Sequence, residues 1–344
     1  MRKTKFLGLF LAVILVLVAC TQKTENVATG NGGTTGTAGA ANSATTESDY
    51  PKEPIRMIIP YNPGGAIDTT GRILAETVSK KLDKSEVVVI NKAGGGGTVG
   101  TTEVFSSKPD GYTIGYVPLS TLAIQPHLGT TKYTYNDLDL IMRVGTNPQV
   151  LVVPKNSPWE NFDQWLEYVK NNPGKFTYGT GGKGSLQHVT MEALSNEANI
   201  EMKMVPFNSG AEIMAALLGG HVNGAVVYPS DVEANKDDLR VLVYFGDGTD
   251  DLKNEGVPSI ADKGIQLQVG HNLYALIAPK GLPEDVLKKL DEAFKVALEE
   301  PELISKFNDL GVTPSYSPSE ELQKELTTIS DSIGEILKQL ENVQ

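Results

Sequence analysis

Between residues 50 and 344, short apolar runs rich in β-branched residues alternate with stretches in which apolar residues recur every three or four positions. The first pattern is typical of buried strands, and the second of helices that bury one face. We predict strands at 55–59, 87–90, 113–117, 149–153, 176–178, 202–205, 224–228, 239–244 and 273–278. Helices are predicted at 67–82, 98–106, 159–171, 185–198, 211–218, 284–299, 302–310 and 319–341. This alternation indicates an α/β fold.

The N-terminal apolar run differs from these because nothing interrupts it. It covers 14 residues, Phe6 to Ala19, and follows the basic segment 1–5. That length suits the core of a signal peptide and is short for a membrane span, so we predict a signal peptide at 1–19. The next residue, Cys20, is the only cysteine, and 17–20 resembles the bacterial lipobox, where cleavage before the cysteine is coupled to its lipidation. The alternative is a plain signal peptide followed by an incidental cysteine.

Residues 20–49 are predicted to be the lipidated cysteine and a flexible linker. The segment is rich in Gly, Thr, Ala, Ser and Asn and lacks apolar periodicity. As a random coil it would span on the order of 30 Å. We therefore expect an extracytoplasmic protein that is lipid-anchored to the bacterial cell membrane and free to reorient on its tether.

The charge of the chain narrows the classes of partner. The formal net charge is -12, with 30 basic and 42 acidic side chains. Removal of 1–19 takes away three basic side chains and no acidic ones, so the net charge becomes -15. A chain this acidic, without a cluster of Lys or Arg, is unsuited to nucleic acid. With one cysteine it forms no internal disulfide, so its core holds the fold unaided.

Four of the predicted strands are followed by a loop of small residues and then by a helix start. The loops read PYNPGG, NKAGGGG, GTGGKG and PFNSG and begin at residues 60, 91, 179 and 206. A helix N-terminus carries unpaired N–H groups and a partial positive charge, so each loop suits an anion that approaches the backbone. A single loop of this kind is more simply a tight turn, whereas four of them favour a common anion-binding cleft.

Enzyme signatures are weak in this chain. The stretch 95–100, GGGTVG, matches the dinucleotide pattern in letters, but it does not follow its strand directly and Ser120 stands where an acid is needed. The GKGS stretch at 182–185 lacks the residues of a phosphate loop, and no G-x-S-x-G elbow is present. The four histidines lie far apart, without metal-ligand spacing. We therefore predict no catalytic residues, no metal and no cofactor.

The loops and their flanking residues resemble the extracytoplasmic solute receptors of the tripartite tricarboxylate transporter family, also called the Bug family. The resemblance covers essentially all of 50–344 and is specific in order and spacing. The matching stretches are 60–68 with Arg72, 91–97 with Gly100, 108–113, 178–185 with His188, 205–207, 218–220 and 278–283.

The resemblance implies a bilobal periplasmic-binding-protein-like (type II) fold, with two α/β lobes joined by a two-stranded hinge. Lobe 1 would comprise 50–152 plus 273–344, and lobe 2 would comprise 153–272. It also implies that the protein captures a small organic acid between the lobes and delivers it to integral-membrane permease subunits. Two alternatives stay open at this point: a ligand-sensing receptor for a membrane signalling kinase, and a secreted hydrolase with an unmarked site.

Backbone N–H groups at the helix starts and nearby hydroxyls are the expected ligand contacts. The predicted ligand-binding residues are Tyr61, Asn62, Gly64, Gly65, Ala66, Asp68, Ser120, Thr121, Thr180, Gly181, Ser185, Asn208, Ser209 and Tyr228. Asp68 either touches the ligand or only pairs with Arg72 four residues later. Family members often carry an Asp after the strand that corresponds to 224–228, where it meets a ligand amine. This chain has Tyr228, Pro229 and Ser230 before Asp231, which either argues against an amino-acid ligand or shifts the amine contact to Asp231; we expect a di- or tricarboxylate.

Overall fold

A computed structural model describes residues 50–82, 85–207, 209–246 and 248–342. The predicted signal peptide, Cys20, the linker up to residue 49 and the candidate ligand residue Asn208 therefore lie outside the described residues. Within the described ranges, no helix is long and apolar enough to cross a membrane.

Ten strands and ten α-helices alternate along these ranges. The strands are β1 (Ile55–Ile59), β2 (Val87–Asn91), β3 (Thr113–Pro118), β4 (Leu138–Pro154), β5 (Thr177–Thr180), β6 (Lys203–Pro206), β7 (Gly224–Val227), β8 (Leu239–Phe245), β9 (His271–Pro279) and β10 (Thr313–Pro318). The helices are α1 (Ala66–Ser79), α2 (Thr98–Phe105), α3 (Phe162–Asn171), α4 (Leu186–Ala198), α5 (Gly210–Leu218), α6 (Pro229–Glu233), α7 (Asp250–Asn254), α8 (Glu284–Leu298), α9 (Pro301–Asn308) and α10 (Ser319–Asn342). A π-helical turn covers Ser120–Ile124.

The strands form two sheets that share β4. Sheet A has the order β2-β1-β3-β9-β4, with β10 also paired to β4, and its first three strands are parallel. Sheet B contains the other end of β4 with β7, β5 and β6, and β8 pairs with β4 as well. Up to Pro148, β4 pairs with β9, and from Gln149 onward it pairs with strands of sheet B. The lobe limits given above, 50–152 plus 273–344 for lobe 1 and 153–272 for lobe 2, remain a prediction.

The first half of β4 was not predicted from the sequence. Its residues 138–148 include Gly145, Asn147 and Pro148, which are turn formers and hide the strand pattern. A larger residue would not fit at position 145, because an added Cβ would lie 2.8 Å from the Thr313 carbonyl oxygen of β10. Glycine thus lets the two strands approach closely in the middle of sheet A.

Prolines also hide β10, whose sequence is TPSYSP. The strand pairs with β4 through Pro314 and Ser317, with an irregular register between them. Because Pro lacks an N–H, it is confined to sheet edges and bulges, and β10 is such an irregular edge. The short helices α6 and α7 were missed because five residues are too few for a helical period.

Helices cover the sheets with apolar faces. The side chains of α1, α8 and α9 pack in one cluster with β1, β3 and β9. The long helix α10 buries Leu322, Leu326, Ile329 and Ile333, spaced three or four residues apart, in a second cluster. That cluster also takes in Leu186 of α4. Each such side chain, when fully buried, contributes roughly 1.5–3 kcal/mol.

Candidate functional site

A cavity of about 500 Å³ lies where loops of sheet A and sheet B meet. From sheet A it receives Tyr61, Ala66, Ile67, Gly96, Pro118, Ser120, Gln125, Leu128, Asn272 and Tyr274. From sheet B it receives Gly181, Lys183, Gly184, Ser185, Leu186, Gln187 and Tyr228. Its size and its mixture of apolar walls with a few polar groups suit a small molecule.

The start of α1 forms part of the wall. The N-cap residue, Gly65, has no side chain to bond the first turn, and the N–H groups of Ala66 and Ile67 find no acceptor in the described part of the chain. Both residues line the cavity. Unpaired N–H groups at a helix start attract anions, so this end of the cavity is suited to a carboxylate.

Gly64 is held by the helix itself. Its φ of +94° is a backbone conformation that glycine adopts readily, and its N–H donates to Asp68 Oδ2 at 2.9 Å. The other Asp68 oxygen accepts from Asn91 Nδ2 at 2.8 Å, and Arg72 lies within 3.1 Å of the carboxylate. Burial raises the pKa of Asp68, but these hydrogen bonds outweigh it and hold the pKa below its usual value. The Asp68 carboxylate therefore steadies the loop rather than lining the cavity.

The start of α4 faces the same cavity. The Ser185 hydroxyl caps the helix by accepting from the His188 N–H at 3.2 Å, and Leu186 and Gln187 of the first turn line the cavity. Before them, the Gly184 N–H donates to His188 Nδ1 at 3.2 Å. Two helix starts, one from each sheet, thus converge on one volume.

His188 is buried behind this loop. Its Nε2 lies 3.6 Å from Glu192 Oε1, which in turn accepts from the Tyr178 hydroxyl at 3.0 Å. Burial, and then the nearby Lys183, lower the pKa of His188, while burial raises the pKa of Glu192. The neutral imidazole accepts at Nδ1, so the state that holds Gly184 is the one favoured near neutral pH.

Three tyrosines supply hydroxyls to the cavity: Tyr61, Tyr228 and Tyr274. Tyr61 donates to the Gly96 carbonyl oxygen at 3.1 Å, and its hydroxyl lies 3.4 Å from Ser120 Oγ. Burial raises the pKa of Tyr61 and of Tyr228, and raises that of Tyr274 to about 12. All three hydroxyls stay protonated near neutral pH and can donate hydrogen bonds.

Six of the predicted ligand residues line the cavity: Tyr61, Ala66, Ser120, Gly181, Ser185 and Tyr228. Others have different places in the described structure. The Thr121 hydroxyl donates to the Pro118 carbonyl oxygen at 2.9 Å, Thr180 Oγ1 accepts from the Gly182 N–H at 3.1 Å, and Ser209 caps α5. Asn62, Gly64 and Gly65 are exposed and lie outside the lining. Three of the four small-residue loops contribute to the cavity, and PFNSG adds none of its described residues.

Four further lining residues were not predicted from the sequence: Gln125, Gln187, Asn272 and Tyr274. Tyr274 and Asn272 belong to β9, which was predicted as an ordinary strand, and strand residues carry no local mark of a ligand site. Among the described residues, no group of three or more His, Cys, Asp or Glu side chains could hold a metal ion.

The sequence matches a family model over residues 70–341; its description is "Tripartite tricarboxylate transporter family receptor". The chain is 34% identical over 278 residues to a Cupriavidus necator protein named "UPF0065 protein in gbd 5'region", covering 79% of this chain and 83% of the relative. It is 30% identical over 272 residues to the Bordetella pertussis protein BugT, covering 77% of this chain and 82% of the relative.

Solved structures with the same fold include a TctC solute-binding protein from Polaromonas without ligand, with a TM-score of 0.75, 26% identity, and coverage of 84% of this chain and 99% of that chain. Two Rhodopseudomonas palustris proteins share the fold at lower identity. Rpa4515 with adipate has a TM-score of 0.68 at 20% identity (84% and 98% covered), and MatC with bound malate has 0.66 at 22% (83% and 100% covered). The predicted bilobal α/β solute-binding fold is confirmed.

Proposed function

We propose that this chain, which belongs to the tripartite tricarboxylate transporter family of receptors, binds a di- or tricarboxylate in the cavity between sheets A and B. The family and the fold are those of extracytoplasmic solute-binding receptors and not of enzymes. In this proposal the protein is tethered to the membrane by lipid on Cys20 and delivers its ligand to the permease subunits of the transporter.

The observation that carries the proposal is the convergence of two open helix starts on one cavity. The N–H groups of Ala66 and Ile67 begin α1, and those of Leu186 and Gln187 begin α4. One carboxylate at each helix start would be bound by backbone donors and by the favourable end of the helix dipole. A molecule with two or more carboxylates matches this arrangement.

The side chains of the cavity support an anion without an amine. Among the described lining residues there is no aspartate or glutamate, and Lys183 is the one charged side chain. Asp231, the acid nearest in sequence to Tyr228, accepts the Tyr228 N–H at 3.1 Å and does not line the cavity. An ammonium group would find no carboxylate partner there, and burying it unpaired would cost several kcal/mol.

The acidic character of the whole chain does not contradict anion binding. Charges on the outer surface are screened within about 8 Å at physiological ionic strength. Inside a partly dry cleft, the N–H groups and hydroxyls act at short range and in a lower dielectric, where their hydrogen bonds are stronger. The hydrogen-bond donors that line the cavity, rather than the net charge of the chain, therefore determine whether the ligand is an anion.

A thermal-shift screen of the purified full-length chain tests the proposal. Malate, succinate, adipate and citrate are compared with glutamate, lysine and neutral sugars, at matched sodium concentration and ionic strength. A ligand at 100 times its Kd should add about 2.7 kcal/mol to the free energy of unfolding. We expect stabilisation by at least one acid and none by lysine or sugars.

Sodium chloride at the same ionic strength is the control for general salt effects. If only sugars or amino acids stabilise the protein, the carboxylate assignment is wrong. If an acid does stabilise the protein, uptake of that acid is measured in cells from which the gene has been deleted. Loss of uptake would connect binding to transport, whereas unchanged uptake would contradict delivery to a permease.

A further inference from the structure

Lys183 is the one charged side chain among the described residues that line the cavity. It is exposed, and its ammonium group has no ion pair or hydrogen bond with any residue that the structure describes. An unpaired lysine on an open surface is ordinary, because water solvates it. In the wall of a ligand cavity, however, a bound ligand displaces part of that water, so the charge of Lys183 acts on the ligand.

The position of this charge is unfavourable for the helix beside it. Lys183 comes two residues before Ser185, the N-cap of α4, and the first turn of α4 contains no acidic residue. His188 in that turn adds no charge near neutral pH, because burial, and then Lys183, lower its pKa. A cation at a helix N-terminus is disfavoured unless an anion offsets it. The described lining residues supply no such anion, so this role is left to the ligand.

The backbone around Lys183 is fixed by the protein itself. The Ser185 N–H donates to the Gly182 carbonyl oxygen at 3.1 Å and closes a turn with Lys183 at its second position. Gly184 at the third position has a φ of +77°, a conformation that glycine favours there, as in a type II turn. The Gly184 N–H is bonded in turn to His188 Nδ1 at 3.2 Å. Little backbone entropy remains to be lost when this turn meets a ligand.

The opposite end of the cavity, at the start of α1, carries no free charge. Arg72 of α1 lies 3.0 Å from the Asp68 carboxylate, and Lys92 of the loop NKAGGGG lies 3.3 Å from that of Glu103. Neither cation lines the cavity, and the lining residues at this end, Tyr61 among them, are uncharged. The two ends therefore differ: α1 offers neutral donors, whereas α4 offers neutral donors and a cation.

We propose that Lys183 is a specificity-determining residue that binds an additional negative charge at the α4 end of the ligand. The preferred ligand is then an organic acid with two negative charges at one end and one at the other, and its doubly charged end lies at α4. This inference rests on the proposed function and refines it, because two helix starts alone do not distinguish one end of the ligand from the other.

The number of donors at α4 explains why Lys183 is assigned to an additional charge. The first N–H groups of α4, at Leu186 and Gln187, already suffice for one carboxylate. The ammonium group stands at the end of a long flexible side chain, so it can reach a second anionic group beside the first. Because Lys183 is exposed, its ion pair is worth a moderate factor in affinity, which we place at about threefold to tenfold.

Two matched pairs of acids test this charge preference. Each pair consists of a dicarboxylate and the same molecule with one more carboxylate next to one end: succinate with ethane-1,1,2-tricarboxylate, and adipate with butane-1,2,4-tricarboxylate. Calorimetry on the full-length chain at about pH 8, where all carboxyl groups are ionised, measures each Kd at matched ionic strength. We expect the wild type to bind the tricarboxylate of at least one pair about threefold to tenfold more tightly than its dicarboxylate.

Three variants assign that preference to Lys183. Lys183→Met should weaken tricarboxylate binding about threefold to tenfold and dicarboxylate binding less than about twofold, which removes the preference. Lys183→Arg keeps the charge and should keep the preference. Lys203→Met is the matched control: Lys203 is an exposed lysine of sheet B that lies outside the cavity lining, so its loss changes the net charge equally but should leave both Kd values unchanged. The Tm of ligand-free Lys183→Met should not fall, because a cation beside a helix start is removed.

Salt gives a second readout. An exposed ion pair is screened by salt, so the wild-type ratio between the two Kd values should shrink as sodium chloride rises from about 20 mM to about 500 mM. In Lys183→Met the ratio should stay constant over that range. A ratio in the wild type that does not respond to salt would contradict an ion pair with Lys183.

The two proposals fail in different ways. If the wild type binds none of malate, succinate, adipate and citrate, the proposed function is overturned and this inference with it. If it binds an acid but prefers the tricarboxylate of neither pair, only the role of Lys183 is overturned. Equal losses for the dicarboxylate and the tricarboxylate in Lys183→Met would likewise overturn it, since Lys183 would then hold a carboxylate that both ligands share.

Discussion

The Gly64 N–H donates to the Asp68 carboxylate, four residues later, at 2.9 Å. The loop PYNPGG was expected to present this N–H to a ligand. Instead, the helix supplies its own carboxylate there, held also by Arg72 and Asn91. The Gly64 N–H is therefore not available to a ligand, whereas Ala66 and Ile67, which begin the helix, line the cavity.

Replacing Asp68 with Asn should destabilise the fold more than it weakens ligand binding. The variant loses the charge that Arg72 and the Gly64 N–H face, at a cost of about 1–2 kcal/mol in the free energy of unfolding at pH 7. The folded pKa lies below the unfolded value of about 3.8, so the charge stabilises the protein above that pH. The difference between wild type and variant should shrink as the pH falls below 4. Urea unfolding at several pH values measures it.

Asp163→Asn is the control for that prediction. Asp163 pairs with Lys263 at 2.7 Å, but its side chain is 68% exposed, so its loss should cost no more than about 0.5 kcal/mol. Equal losses for the two variants at pH 7 would mean that the Asp68 network adds nothing beyond a surface pair.

Ser185 and Ser209 form a matched pair of helix caps. Each hydroxyl accepts from the N–H three residues later at 3.2 Å, but only Ser185 lines the cavity. Replacement of either with Ala should cost about 1 kcal/mol of unfolding free energy. We expect Ser185→Ala alone to weaken carboxylate binding in calorimetry. Equal affinities for the two variants would remove the Ser185 hydroxyl from the site.

Gly184 and Gly220 separate backbone strain from closure of the cavity. Both have positive φ, +77° and +70°, so Ala at either position should cost about 1–2 kcal/mol. At Gly184 an added Cβ would also lie 3.1 Å from Leu128 Cδ1, whereas at Gly220 it meets nothing within 4 Å. Gly184→Ala should therefore lower ligand affinity and Gly220→Ala should not. A similar Kd for both would show that the Leu128 contact is irrelevant to binding.

Protonation of His188 at acid pH should destabilise the folded protein, because this side chain holds the loop before α4. Burial, and then Lys183, lower the pKa of His188 in the folded protein below the unfolded value of 6.5. The unfolded chain then takes up the proton first, so stability is lost as the pH falls below about 6.5. His188→Asn keeps an acceptor near the position of Nδ1 but does not titrate. Melting curves between pH 8 and 5 should show a decline for the wild type that exceeds that of the variant.

Glu192 and Tyr178, which face His188, are present in both proteins. Burial raises the pKa of Glu192, an effect that opposes that of His188 because it destabilises the fold as the pH rises above 4.5. Comparison with the variant therefore isolates the histidine. Parallel curves over the whole range would show that His188 does not control the loop.

The predicted anchor has a direct test at Cys20. The Cys20→Ser variant should incorporate no labelled lipid and should keep its N-terminal segment, because cleavage before this residue depends on its modification. Metabolic labelling with a radioactive fatty acid and mass spectrometry of the N-terminus measure both effects. Lipid label on the variant would place the anchor elsewhere.

The local pattern of the sequence determined the elements of this protein and much of one part of the site. The strand at 55–59 and the helix starts near 66 and 186 agree with prediction, because apolar periodicity and small-residue loops are local signals. The same signals identified Tyr61, Ala66 and Ser185 as lining residues, since a helix start presents its N–H groups whatever the distant chain does.

Only the tertiary structure decided which N–H groups of the loop PYNPGG are already bonded and which distant residues complete the wall of the cavity. The Asp68 carboxylate accepts from the Gly64 N–H through one oxygen, and Asn91 of β2 holds its other oxygen. Tyr274 reaches the cavity because β9 pairs with β3 and β4, a relation between segments more than 100 residues apart. Val150 of β4 pairs with Val227 of β7 in a register that no local pattern encodes. Pairing between distant strands sets these positions, and for that reason a single sequence read along its length could not supply them.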